Sequence, residues 1–243
     1  MPLSNIRIVL VETSHPGNIG AAARAMKNMG LAHLVLVRPA LFPHADATAR
    51  ASGADDLLGA AKVCDSLEEA LSGCGFVVGT TARARSLPWP QVDPRACAQR
   101  LMAESAAHPV AVLFGRERTG LSNRELEHCH LAVHIPTDTD YSSLNLAAAV
   151  QVIAYELRMA LAEPPTAPEA APDPEDQPAD AEAMGLFYRH LEQVLVEVEF
   201  LDPEEPKRLM RRLKRLFGRA RPEVRELNIL RGILTAVQRR VRR

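Results

Sequence analysis

The chain has 243 residues, 47% of them apolar and 24% charged, which is room for one large domain and a smaller one and excludes a chain disordered throughout. No apolar run approaches the ~20 residues that cross hydrocarbon, and Met1 to Arg7 leads into a strand without the regions of a signal peptide, so no membrane span and a cytoplasmic location are expected. The net charge of −1 divides into −1 over residues 1–162, −7 over 163–182 and +7 over 183–243, an asymmetry that points to nucleic acid.

In chain order, strand-length runs rich in β-branched residues fall at 6–11, 34–37, 76–78, 110–114 and 131–135. Amphipathic or alanine-rich helical stretches lie between and after them, at 19–29, 66–72, 94–105, 122–128 and from about 143 to 161. Strands alternating with helices predict an α/β domain with an open parallel sheet, covered by helices on both faces. The loops that follow the strands then emerge together at the carboxyl edge, where open α/β sheets bind ligands.

Residues 163–182 hold 6 prolines, 7 acids and no basic residue. Nothing there can offset the entropy of ordering, so an extended linker is expected. Beyond it, Leu186 to Val198, Leu209 to Phe217 and Leu227 to Val241 carry apolar residues at helical spacing, predicting a small all-α domain over 183–243. Pro203 and Pro222 are read as marking the starts of its second and third helices. Arg208, Arg211, Arg212, Lys214 and Arg215 crowd the second helix with few interleaved acids, a pattern suited to a phosphate backbone.

Four cysteines, Cys64, Cys74, Cys97 and Cys129, are too few and too irregular for a disulfide framework, and buried reduced thiols are expected. The cluster His128, Cys129, His130 and His134 matches no common zinc spacing, so no metal is expected.

Three polar segments follow strands. Gly17-Asn18-Ile19-Gly20 enters a helix bearing Arg24, Lys27 and Asn28 on one stripe, which taken alone reads as a solvent face. It lacks the G-x-G-x-x-G of dinucleotide binders, which argues against a nicotinamide cofactor. Gly115-Arg116-Glu117-Arg118-Thr119-Gly120-Leu121-Ser122 permits tight turns, with Ser122 or Asn123 as a helix cap. Ile135 to Asn145 is a polar loop before the longest apolar helix, with Ser142 and Ser143 as N-cap candidates. A serine-hydrolase elbow, G-x-S-x-G, is absent from it.

Together, in this order, residues 18–24, 114–122 (G-x-E-x-x-G-L-S) and 135–145 (with Ser143-Leu144-Asn145) resemble the SPOUT superfamily of RNA methyltransferases, in the branch that methylates ribose 2′-hydroxyls. The run Val11 to Asn18, the loop Arg83 to Pro90 and the tail Leu227 to Leu234 extend the resemblance to members acting on cytidine or uridine 32 of the tRNA anticodon loop.

The resemblance implies a deep trefoil knot in the C-terminal part of residues 1–162, a homodimer, and S-adenosyl-L-methionine as cofactor. It places cofactor contacts on Thr80, Thr81, Ala82, Gly115, Ile135, Ser142, Ser143 and Leu144. Arg24 falls at the target hydroxyl and its phosphate, with Asn18 orienting the site and Ser142 or Ser143 and Glu117 supplying hydrogen bonds around the reacting centre. A guanidinium stays protonated and takes up no proton, so Arg24 is assigned to clamping phosphate and stabilising the developing alkoxide. Arg83, Arg85 and Trp89 form a basic, aromatic loop at the entrance. Trp89 is suited to stack on an unpaired base or to be buried against a second subunit. The basic C-terminal helices would follow the tRNA backbone. The alternatives are a ribose methyltransferase of the same fold acting on rRNA, and a noncatalytic RNA-binding protein with a degenerate cleft.

Overall fold

A computed structural model describes residues 2–82, 90–162 and 176–241 of the chain. The chain divides into two compact units, Met1–Pro168 and Glu169–Arg243.

The first unit is built on β1 (Ile6–Val11), β2 (His33–Val37), β3 (Lys62–Cys64), β4 (Phe76–Thr80), β5 (Gln91–Val92), β6 (Val110–Phe114) and β7 (Leu131–Val133). They form one seven-stranded sheet in the order β3-β2-β1-β6-β4-β7-β5, every pairing parallel. Ile8 sits opposite Leu34 on one side and Val112 on the other, so β1 lies between two partners. Both faces of such strands meet protein, which is why β6 is buried at every residue and reads as an unbroken apolar run. The expected open parallel α/β sheet is therefore present.

Helix α1 (Pro16–Met29) begins earlier than its apolar periodicity suggests. Pro16 sits in its first turn, His15 caps it through Nδ1, which accepts the Gly17 N–H at 3.0 Å, and Gly30 ends it at φ +81°. Its apolar face packs on α2 (Ala45–Ala51) and on α7 (Leu146–Ala162), which also lies against α5 (Pro94–Ser105). A side chain on Gly20 would put Cβ 1.9 Å from the Ala47 carbonyl oxygen, so α1 and α2 touch backbone to backbone there.

The structure departs from expectation at short elements. The edge strands β3 and β5, α2 and α3 (Asp55–Gly59) carry too few residues to declare a period. Helix α7 starts at Leu146 rather than 143, because Asn145 Oδ1 accepts the Ala147 N–H at 2.9 Å and acts as the cap. Ser142 and Ser143 stay in the preceding loop. Between β6 and β7, α6 (Asn123–Leu126) is capped by Ser122, with Glu125 completing a capping box.

The second unit contains α8 (Ala181–Glu197), α9 (Leu209–Ala220) and α10 (Val224–Val241). Met184, Phe187, Leu191 and Leu227 form its buried centre, with Phe217 of α9 edge-on to Phe187 at 4.9 Å. Helix α9 starts at Leu209, six residues after Pro203, and has no side-chain cap. The four cysteines are buried and free of disulfides. Burial pushes the Cys97 thiol up to about 12, and that of Cys129 upward as well, so both behave as small apolar groups.

Candidate functional site

The carboxyl ends of β4, β6 and β7 open onto a cleft of about 780 Å³, open solvent included. Its walls are residues 80–82 at the end of β4, 114–120 at the end of β6, Val133, Ile135 and Thr137 at the end of β7, and 142–144 with Leu146 and Ala149 at the head of α7. All eight positions expected to contact cofactor (Thr80, Thr81, Ala82, Gly115, Ile135, Ser142, Ser143 and Leu144) line this one cleft.

Local bonds hold each wall. Thr80 Oγ1 donates to the Leu113 carbonyl at 2.9 Å and Thr81 N–H to Val133 O at 3.0 Å, while His134 Nδ1 lies 3.1 Å from Thr81 O. In the loop after β6, Gly120 N–H donates to Arg116 O at 2.8 Å and closes a tight turn. A Cβ on Gly115 would lie 2.1 Å from the Leu121 nitrogen, so only glycine fits where the turn folds back on its own start. Thr137 Oγ1 donates to the Ser142 carbonyl at 3.1 Å.

Glu117 joins the walls. Its carboxylate accepts Ser14 N–H at 3.1 Å, Ser14 Oγ–H at 2.9 Å, His15 N–H at 3.2 Å and Asn18 Nδ2–H at 2.8 Å. Asn18 Oδ1 in turn accepts Asn145 Nδ2–H at 3.1 Å. One hydrogen-bonded chain therefore ties all three motif segments. Burial works against the charge on Glu117, but Asn18, its own backbone N–H and Ser14 outweigh it and hold the carboxyl at about 2. Ionised, Glu117 acts as an acceptor only, and it accepts from three residues at the start of α1, Ser14, His15 and Asn18.

Beside it, Arg116 is locked. Its guanidinium reaches Glu12 at 2.6–2.7 Å and Glu125 at 2.9–3.1 Å, and Glu12 is shared with Arg38. Burial opposes ionisation of Glu125, yet Arg116 and the Ser122 N–H keep its carboxyl below the ordinary range.

Not every expected residue joins the cleft. Arg24 is exposed on α1, six residues beyond Asn18, and does not line the cleft. Six residues are a rise of about 9 Å and a rotation of roughly two-thirds of a turn past a full one. Arg83, Arg85 and Trp89 lie outside the described residues. Arg208 and Arg212 are exposed in the second unit, Arg211 and Arg215 are half-buried, and Lys214 sits 5.9 Å from the Tyr188 ring centre. Lys27 is taken up by Asp56 at 2.7 Å. His130 Nδ1 accepts the Val77 N–H at 3.1 Å and its ring stacks on Phe76. Sequence reasoning overlooked Ser14 and His15 as donors to Glu117, the ion pairs of Arg116, and Arg118 and Thr119 as cleft residues.

An all-parallel sheet whose strand-end loops meet in one cleft defines an α/β protein with a ligand site at the carboxyl edge, and residues 5–155 match the SpoU rRNA methylase family. The chain belongs to that family. Residues 182–243 match the C-terminal domain of the tRNA methyltransferase TrmJ. Over 244 residues the chain is 55% identical to the tRNA (cytidine/uridine/adenosine-2′-O-)-methyltransferase TrmJ of Pseudomonas aeruginosa, covering 98% of this chain and 95% of that one. The structure of TrmJ from Z. mobilis ZM4 superposes with a TM-score of 0.83 at 32% identity, over 96% of this chain and 98% of that one. An AdoMet-bound rRNA methyltransferase from Sinorhizobium meliloti aligns with a TM-score of 0.50 at 25% identity, over 64% and 56% of the two chains.

Proposed function

We propose that the chain is an S-adenosylmethionine-dependent tRNA ribose 2′-O-methyltransferase acting on cytidine or uridine at position 32 of the anticodon loop. The observation that carries this reading is the convergence of the loops after β4, β6 and β7 on one cleft, the last two linked through Glu117, Asn18 and Asn145. Family membership and near-full-length similarity to TrmJ support the tRNA substrate.

The chemistry of the lining fits the cofactor: apolar Val133, Ile135 and Leu144 suit an adenine face, beside the hydroxyls of Thr81, Ser142 and Ser143. When bound, S-adenosylmethionine supplies a sulfonium methyl for transfer to an oxygen nucleophile. The loops at 80–82, Gly115, Ile135 and 142–144 hold and orient it. Asn18, fixed from both sides, orients the turn that faces the incoming ribose. Arg24 clamps the neighbouring phosphate and stabilises the charge that develops on the 2′-oxygen. Because Arg24 stands off the cleft of its own chain, this role goes with the homodimer that the resemblance implies, Arg24 acting across the subunit interface. The same resemblance implies the trefoil knot, and the substrate implies the cytoplasm.

The second unit contributes charge along the tRNA backbone. Arg208→Gln with Arg212→Gln is expected to flatten the slope of log affinity for tRNA against log salt by about 1.4–1.8, two counterions' worth, and to leave cofactor binding unchanged. Filter binding across a salt series reads the first and calorimetry the second. An unaltered slope would remove these two residues from the interface.

Tritiated methyl incorporation into unmodified tRNA transcripts, followed by nucleoside mapping, tests the whole reading. Label at the 2′-oxygen of nucleotide 32 is expected. Label in rRNA alone, or cofactor binding without transfer, would overturn it.

Glu117 makes a separate expectation. Its carboxyl ordinarily titrates near 4.5 and stands at about 2 here. Its stabilisation is thus complete above about 4.5 and is lost as pH falls toward 2. Glu117→Gln should lower Tm at pH 7, and the gap to the parent protein should close between pH 4.5 and 2. A gap constant across that window would refute the assignment.

A further inference from the structure

Residues 116, 117 and 118 are three consecutive charged side chains on the turn that walls the cleft, and their fates differ. Arg116 is spent on Glu12 and Glu125. Glu117 is spent on Ser14, His15 and Asn18. Arg118 lines the same cleft, is exposed, and has no hydrogen bond or ion pair with any described residue.

Its base is rigid. The turn is closed by the Gly120 N–H to Arg116 carbonyl bond, by the Arg116–Gly120 bridge and by the packing of Gly115 under Gly120 and Leu121. The Ser122–Glu125 capping box anchors the chain just beyond it. A cation held on a fixed turn at a ligand cleft, with no described carboxylate in ion-pair contact, is arranged to meet an anion from outside. A guanidinium fork matches the oxygens of a phosphate in two parallel hydrogen bonds. Arg116 and Arg38 balance Glu12 and Glu125, and the Glu117 carboxylate turns to Ser14, His15 and Asn18, so Arg118 is the cation of this turn with no carboxylate in contact among the described residues.

We propose that Arg118 binds a phosphodiester of the substrate RNA strand at the mouth of the methyl-transfer cleft. This rests on the reading of the chain as an RNA methyltransferase and adds a substrate-holding residue to it. The cleft offers a second source of anion, the carboxylate of the cofactor, and the two are separable by measurement.

The test uses the full-length Arg118→Ala and Arg118→Lys variants. For alanine, KM for tRNA should rise about tenfold, and the slope of log tRNA affinity against log salt should flatten by about 0.7–0.9, one phosphate contact. Its cofactor affinity by calorimetry should stay within about twofold and its Tm should be unchanged. Lysine, which keeps the charge without the fork, should restore the salt slope and only part of the KM. Weakened cofactor binding with an unchanged salt slope would assign Arg118 to the cofactor carboxylate and overturn the proposal, as would unchanged values of both. The salt slope is read from binding alone. A parent protein that binds tRNA through Arg118 but transfers no methyl group would therefore sink the enzymatic reading and leave the phosphate contact standing.

Discussion

Replacing Arg24 with alanine is expected to cut methyl transfer to tRNA by ~100-fold or more while cofactor affinity stays within about twofold. Under the proposed role, the rate loss follows from removing a cation that meets developing negative charge, a contact that acts in the transition state and little in the ground state. The intact affinity follows from the same role, which sets Arg24 on the RNA rather than on the cofactor, and Arg24 lines no part of the cleft of its own chain. Single-turnover rates and calorimetry separate the two. A complementation experiment tests the route. Mixed with a variant defective in the cleft, the Arg24→Ala protein should regain activity if the arginine serves the neighbouring subunit. Full turnover by Arg24→Ala alone would remove the residue from the mechanism.

Gly115→Ala is the second large effect. The new methyl would lie 2.1 Å from the Leu121 nitrogen and 2.2 Å from the Gly120 carbonyl carbon. Neither can retreat cheaply, because the Gly120 N–H is bonded to Arg116 O and the Ser122–Glu125 capping box pins the chain beyond. Overpacking of this kind costs about 1–3 kcal/mol, and the strain is released by opening the turn that forms the cleft wall. Cofactor affinity should therefore fall about 10- to 100-fold, with Tm lowered as well. Gly59→Ala is the control. Nothing lies within 4 Å of its Cβ position, and its stability should change by no more than about 0.5 kcal/mol. Normal cofactor binding by Gly115→Ala would show that the turn is not part of the site.

Both effects depend on contacts of different range, and that range decides what could be read in advance. Strands β1 and β6 ended where their apolar runs ended, because a strand covered on both faces stays apolar to its limits, with Arg7 the one polar residue within the two. The sheet class followed from the alternation of such runs with helical periods. The division into a mixed first part, an acidic stretch and a basic tail followed from charge alone. The location of the cleft was also legible. Parallel strands send their loops to one edge, and the eight positions assigned by resemblance all reached it.

Other features had no local signal. Edge strands of two and three residues declare no period. The start of α7 was set by which polar side chain turned back to the first free N–H, and Asn145 did so in place of Ser142 or Ser143. The roles within Arg116-Glu117-Arg118 were least accessible of all. Arg116 and Arg118 are the same residue type two positions apart, yet one is neutralised by Glu12, 104 residues away, and the other faces the cleft unpaired among the described residues.

From its sequence alone this protein determined a parallel α/β sheet, a boundary, a basic tail and the segments that carry chemistry, since these depend on residue type, spacing and charge along the chain. Which of those side chains brace the site and which remain for a ligand was decided by the tertiary structure. That choice depends on partners that chain folding brings within hydrogen-bond distance and that no local pattern encodes.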